Sequence, residues 1–163
     1  MTMPSKRLGH TGLKVSRLCL GTMTFGVQAD EAESFAILDK ALAAGIDFVD
    51  TADVYPLGSG LDVAGRTEEI IGAWMAARGT RQRIVLATKA VGRMGPAHWD
   101  EGASRKHLLS AIDASLKRLG TDHVDLYQLH SFDAMTPIEE MLRALDDLTR
   151  DRKSTLLNSS HLG

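Results

Sequence analysis

The stretch "GIDFVDTADVYPLG", Gly45 to Gly58, decides the fold. Ile46, Phe48 and Val49 form a short apolar run of strand type, yet that run leads straight into Asp50, with Tyr55 five residues further on. A carboxylate closing a buried strand is costly unless it is paired or faces a wet site. The stretch therefore raises two questions: what surrounds the strand, and what stands opposite the acid.

Working outward, apolar runs of strand length alternate with longer segments of helical period, the pattern of repeated strand and helix units around a parallel sheet. A first strand is expected over "RLCLGT", Arg17 to Thr22, preceded by two short strands turning at His10-Thr11-Gly12. Helix one is expected after the cap residue Asp30, with Phe35, Ile37, Leu38 and Leu42 on one face and Gly45 as its stop. The opening stretch supplies strand two, and "RTEEIIGAWMAARG" reads as helix two, ending at Gly79. Strand three is "RIVLATKA", Arg83 to Ala90; helix three follows Ser104 and closes at Gly120. Strand four is "HVDLYQLH", His123 to His130, and helix four starts near Pro137, with Ile138, Met141, Leu142, Leu145 and Leu148 apolar.

Side chains alternate along a strand, so Phe48 and Asp50 share a face, as do Ala87 and Lys89, and Gln128 and His130. In parallel β/α folds the carboxyl ends of all strands lie on one rim. Asp50, Lys89 and His130 should converge there, joined by Tyr55 from the loop beyond strand two. Taken singly, Lys89 reads as a solvated strand end, His130 as a packing residue and Tyr55 as a wall residue. Jointly they make a site. A phenol with an ordinary pKa of about 10 donates a proton more readily beside an ammonium, which favours the phenolate left behind. Lys89 supplies that charge, Asp50 holds Lys89, and neutral His130 orients a carbonyl oxygen. A carbonyl polarised in this way awaits an electron pair, and hydride from a reduced nicotinamide is the natural source.

Composition narrows the alternatives. Nineteen basic against 21 acidic residues give no field that recruits nucleic acid or an anionic membrane, so a small molecule is the expected partner. The start, MTMPSKRLGH, lacks the apolar core of a signal peptide, and no run approaches the roughly 18 apolar residues of a membrane span, which gives an expectation of the cytoplasm. The one cysteine, Cys19, flanked by Leu18 and Leu20, reads as an inert core thiol. No Cys and His spacing suits zinc, and no metal is expected. "GSGLDVAG", Gly58 to Gly65, lacks the spacing of a dinucleotide-binding turn. The loop "VGRMGPAHWDEG" offers His98 and Trp99 either to a substrate pocket or to plain loop packing, while His107 and His123 read as a helix-surface and a strand-start residue.

The segments "HTGLKVSRLCLGTMTFG", "DFVDTADVY", "VLATKA", "SLKRLGTDHVDLYQLH" and "TPIEEMLRALDDLTRD", found in this order between Lys6 and Asp151, closely resemble the aldo-keto reductase family. The resemblance implies a (β/α)8 barrel whose floor is plugged by an amino-terminal hairpin, of which this chain would hold the hairpin and the first four β/α units. It implies a catalytic tetrad of Asp50, Tyr55, Lys89 and His130. It also implies reduction of aldehydes or ketones with NADP(H), NAD(H) remaining open, and a cofactor seated near Gly21, Thr22, Met23 and Asp50. Gly21 reads equally as a strand-end turn.

The chain departs from the family pattern in two ways. A barrel needs eight units and about 250 residues, so strands one and four are expected to be open edges. Residues 152–163 read as polar, without strand alternation, in place of a fifth buried strand, and they resemble the spurious tail of a truncated reading frame. The domain expectation is thus a half-barrel over residues 1–151 and a non-family tail over 152–163; the glycosylation-like triplet at Asn158 is read as chance. Beside the enzyme stands a second reading, a nicotinamide-binding regulatory or interaction subunit of the same fold, although no acidic, basic or coiled segment argues for docking. A third is a half-barrel that leaves its site unassembled.

Overall fold

The computed structural model describes residues 3–158. Its centre is a five-stranded parallel sheet, ordered β3 (Cys19–Gly21), β4 (Phe48–Asp50), β5 (Val85–Ala90), β6 (Val124–Leu129) and β7 (Ser154–Asn158). Four helices alternate with these strands: α1 (Glu31–Ala43), α2 (Arg66–Arg78), α3 (Arg105–Leu119) and α4 (Ile138–Arg150). A separate antiparallel hairpin, β1 (Ser5–Arg7) with β2 (Lys14–Ser16), precedes them and turns where His10-Thr11-Gly12 stands.

Local chemistry fixes the helix ends. Asp30 accepts from Glu33 N at 2.9 Å while the Glu33 carboxylate accepts from Asp30 N at 3.1 Å, a reciprocal capping box at the start of α1. Ser104 caps α3 through His107 N, and α2 and α3 both end on a left-handed glycine, Gly79 and Gly120. The helices cover one face of the sheet. Leu38, Ile70, Ile71, Trp74, Leu108, Ile112, Met141 and Leu145 meet Val49, Leu86 and Tyr127 there in one continuous core. Each such fully buried side chain contributes on the order of 1.5–3 kcal/mol. Gly72 lets α2 approach α3: a Cβ there would fall 2.5 Å from the Arg118 carbonyl oxygen.

Several expectations need correction. The segment after α4 forms a fifth strand, β7, paired in parallel with β6 from Val124–Ser154 to Gln128–Asn158, so the open edges are β3 and β7 and strand four is interior. Backbone pairing with an otherwise bare edge outweighs the weak side-chain pattern: Lys153 O accepts from Val124 N at 3.1 Å and starts the ladder. The remainder of the tail, with the Ser159-Ser160 end of the glycosylation-like triplet, lies outside the described residues. Ile37, Ile138 and Leu142 are exposed, because their helices pack on the sheet through narrower stripes than the sequence pattern offered. Cys19 is exposed on the edge strand. Protein crowding one side of its thiol, with the Asp50 charge second, still pushes it up to about 12, so it stays an unreactive thiol. His107 is buried, and desolvation holds its pKa down against a smaller opposing effect of the Gly92 backbone.

Leu86, at the middle of the helix-covered face, and Asp30, at an exposed cap, should differ in cost. Leu86→Ala is expected to lower unfolding free energy by about 3 kcal/mol, and Asp30→Ala by about 1 kcal/mol. Urea denaturation checks this, and a cap variant as costly as the core variant would contradict the packing described.

Candidate active site

Strand register builds the rim. Gly21 pairs with Asp50, Asp50 with Ala87, and Lys89 with Gln128, which sets the ends of β3 to β6 side by side. Lys89 Nζ donates to Asp50 Oδ2 at 2.5 Å and to the Thr51 carbonyl at 2.9 Å. It also lies 3.4 Å from Tyr55 Oη and 4.9 Å from the centre of the Tyr55 ring. The Tyr55 ring meets the His130 ring edge-on, centroids 5.6 Å apart. All four expected groups are therefore neighbours. A fifth, Gln128, donates from Nε2 to Asp50 Oδ1 at 3.0 Å and fixes the oxygen that Lys89 leaves free.

The backbone holds these side chains in place. Pairing continues past β4, with Thr51 N donating to Ala87 O at 2.9 Å and Asp53 N to Lys89 O at 3.0 Å. The Tyr55 carbonyl accepts from Gly65 N at 3.0 Å and Thr67 N at 3.4 Å, which anchors the tyrosine to the start of α2. Just past β5, Val91 adopts φ 110, a costly conformation for a β-branched residue and a common mark of constrained sites.

The expected cofactor segment lies against this set. The Thr22 amide and hydroxyl both donate to the Asp50 carbonyl, at 3.1 and 2.9 Å, so Thr22 clamps strand to strand from a buried position. Met23 is exposed and its carbonyl accepts from Leu57 N at 3.3 Å. A Cβ at Gly21 would meet nothing within 4 Å, so a flat group has room beside the strand end. Open space at Gly21 next to a Tyr, Lys and His donor set fits the nicotinamide end of such a cofactor.

Behind the rim, on the helix side, lies a buried polar cluster that side-chain parity alone does not reveal. Glu68, fully buried, accepts from Arg118 Nε at 2.7 Å and from Thr88 Oγ1 at 2.6 Å. The Asp53 carboxyl is buried near it without a hydrogen-bond partner among the described residues. Desolvation first, and the Glu68 charge second, push Asp53 up to about 8, against smaller opposing effects of the nearby Val54 backbone N–H, of Arg118 and of Lys89. Tyr127, buried in the same region, is raised above the ordinary phenol value, chiefly by desolvation and then by Asp53.

The signal for this cluster was Asp53 itself, an acid three residues past Asp50 in a segment too buried to leave it solvated. Its folded-state pKa of about 8 exceeds the unfolded value of roughly 3.9. Folding thus favours the protonated form. The stability this contributes is complete below about pH 4 and is lost as pH rises through about 8. Asp53→Asn is expected to flatten stability over that window in urea titrations at stepped pH; an unchanged slope would contradict a buried neutral acid.

Among the described residues, no group of three or more His, Cys, Asp or Glu is arranged to hold a metal ion, and no helix is long and apolar enough to cross a membrane. Comparison with known proteins agrees with the geometry. A model of the aldo/keto reductase family matches residues 17–151. The uncharacterized oxidoreductase YrpG of Bacillus subtilis is 46% identical over 160 residues, covering 94% of this chain and 48% of the relative. Norsolorinic acid reductase A of Aspergillus parasiticus is 37% identical over 162 residues, covering 91% and 40%. A probable voltage-gated potassium channel subunit beta of Oryza sativa is 43% identical over 147 residues, covering 88% and 42%. The chain spans about half the length of the curated relatives it matches. With its parallel strand and helix units, its floor hairpin and a family match over most of its length, the chain belongs to the aldo/keto reductase family, whose members are (β/α)8 barrels.

Proposed function

We propose that the protein reduces aldehydes or ketones to alcohols, with Tyr55 as proton donor and NADP(H) as cofactor. Residues 1–151 would form the amino-terminal half of the reductase barrel, a reading the extent of the family match supports, and β7 continues its parallel sheet beyond them. One observation carries the chemical reading: Lys89 Nζ stands 3.4 Å from Tyr55 Oη while held by Asp50 at 2.5 Å. The cytoplasm remains the compartment this reading favours.

When bound, the reduced nicotinamide supplies hydride to the carbonyl carbon. The chain's own residues manage the oxygen. Tyr55 Oη gives its proton to the developing alkoxide, and the adjacent ammonium stabilises the phenolate left behind. Asp50 holds Lys89 in place, and Gln128 keeps Asp50 from turning away. His130, edge-on to Tyr55, directs a hydrogen bond at the same carbonyl oxygen and sets its angle. Gly21 and Met23 would flank the nicotinamide, with Thr22 holding the strand end behind them. The preference for NADP(H) over NAD(H) follows from the family resemblance.

The plant potassium channel beta relatives favour a second reading, a cofactor-binding subunit that regulates a partner. Turnover separates the two. In the full-length reductase, Tyr55→Phe should lower carbonyl reduction by about a hundredfold or more while leaving NADPH binding intact. Unchanged turnover would remove Tyr55 from the mechanism, and no turnover by the unmodified protein would favour the regulatory reading.

A further inference from the structure

The mechanism leaves the Asp53 carboxyl without a task. It is fully buried, both of its oxygens lack a hydrogen-bond partner among the described residues, and it stands two residues before Tyr55. A buried polar group of this kind costs free energy and calls for an explanation. Its backbone is tied to the site: Asp53 N donates to Lys89 O at 3.0 Å, and Tyr55 N donates to Ala52 O at 3.2 Å. The segment has little slack. Val54 is wedged against Gly92, where a Cβ would fall 2.2 Å from it, so a movement of Asp53 is passed along the chain rather than absorbed locally.

Charged and titratable groups face this carboxyl from four elements: Lys89 from β5, Glu68 from α2, Arg118 from α3 and Tyr127 from β6. Protonated, Asp53 adds no charge, and Arg118 stays with Glu68, to which its Nε donates at 2.7 Å. Ionised, it sets a second carboxylate beside Glu68 in a water-poor site, and the two compete for Arg118. Arg118 cannot shift alone. A Cβ on Gly65 would stand 2.6 Å from Arg118 Cδ, and Gly65 N is the donor that holds the Tyr55 carbonyl at 3.0 Å. Competition for Arg118 is therefore transmitted to the anchor of the proton donor.

We propose that Asp53 is a positioning residue for Tyr55: its neutral carboxyl keeps Arg118 on Glu68 and Tyr55 beside Lys89, and its ionisation draws Arg118 away and shifts the Tyr55 ring. The inference rests on the reductase reading and adds a residue that acts on it from behind the rim. Burial and the Glu68 charge place the loss of this proton at about pH 8, so the site is assembled below that pH and loosened above it.

The chain holds two tyrosines, and each reports a different event. Tyr127 faces Asp53 and reports its ionisation, while Tyr55 reports the consequence. With the tyrosine Cζ carbons 13C-labelled, both signals are followed from about pH 6 to about pH 9.5 and assigned with Tyr127→Phe. The expected result is a shared midpoint at about pH 8, lost from both signals in Asp53→Asn and moved to lower pH in Glu68→Gln, which removes a charge that helps to keep the proton on. Tyr127 moving while Tyr55 stays still would overturn the positioning role. So would two signals indifferent to pH, or a Tyr55 step that survives in Asp53→Asn and hence belongs to its own phenol. Should Asp53→Asn not fold, the unmodified chain and Glu68→Gln decide the matter. In the full-length reductase, the fall in turnover from pH 7 to pH 9 should be about tenfold greater for the unmodified enzyme than for Asp53→Asn. Unchanged turnover in Tyr55→Phe would defeat the reduction mechanism and leave the result from the two tyrosine signals standing, so the two fail separately.

Discussion

The ammonium of Lys89 and the carboxylate of Asp50, 2.5 Å apart at the ends of adjacent strands, are the contact on which the rim depends. Each group alone would be an expensive end to an apolar strand. Together they offset each other, and parallel register makes the meeting obligatory: Asp50 pairs with Ala87, two residues before Lys89 on the same face. A one-residue slip of β4 against β5 would turn Asp50 into the helix-covered core. The pair therefore acts as a check on register as well as a part of the site. It is also only partly shielded, with side-chain exposures of 14% for Lys89 and 24% for Asp50, which suits a charge that must face a ligand more than one that merely holds a core.

The two faces of the sheet divide the labour. The helix side is closed by Trp74, Leu86, Ile112 and Leu145, and even its buried acid Glu68 is satisfied by Arg118 and Thr88. The other side keeps Phe48, Val85 and Lys89 half-buried. Stability is thus concentrated behind the rim and reactivity in front of it. Asp53 sits at the boundary, its backbone tied to Lys89 and its carboxyl facing the Glu68 charge, so the segment that carries Tyr55 is anchored in the most polar part of the core.

Much of this was legible in the sequence because it follows from period and position. Asp30 and Ser104 announce helix starts, Gly79 and Gly120 announce stops, and two-residue alternation puts Asp50, Lys89 and His130 on one face. Gln128 lay on that face too, but a neutral amide gives no hint of its partner until register sets it against Asp50. What sequence period could not show was contact across the core. Glu68 and Arg118 are fifty residues apart and meet only because Gly72 lets their helices close, and His107, expected on a helix surface, is buried where the loop after β5 folds over. The polar tail was misread for a related reason: a short strand is chosen by the edge it joins more than by its own side chains.

The account stands on one claim, that these strand and helix units assemble the rim within this chain. Thermal unfolding of the purified protein with and without excess NADPH tests it most directly, since a ligand that binds only the folded state must raise the midpoint. The account predicts a cooperative transition that moves upward with NADPH and stays put with adenosine alone. Absence of a cooperative transition, or one indifferent to NADPH, would mean that the tetrad is written in the sequence but not assembled by these residues.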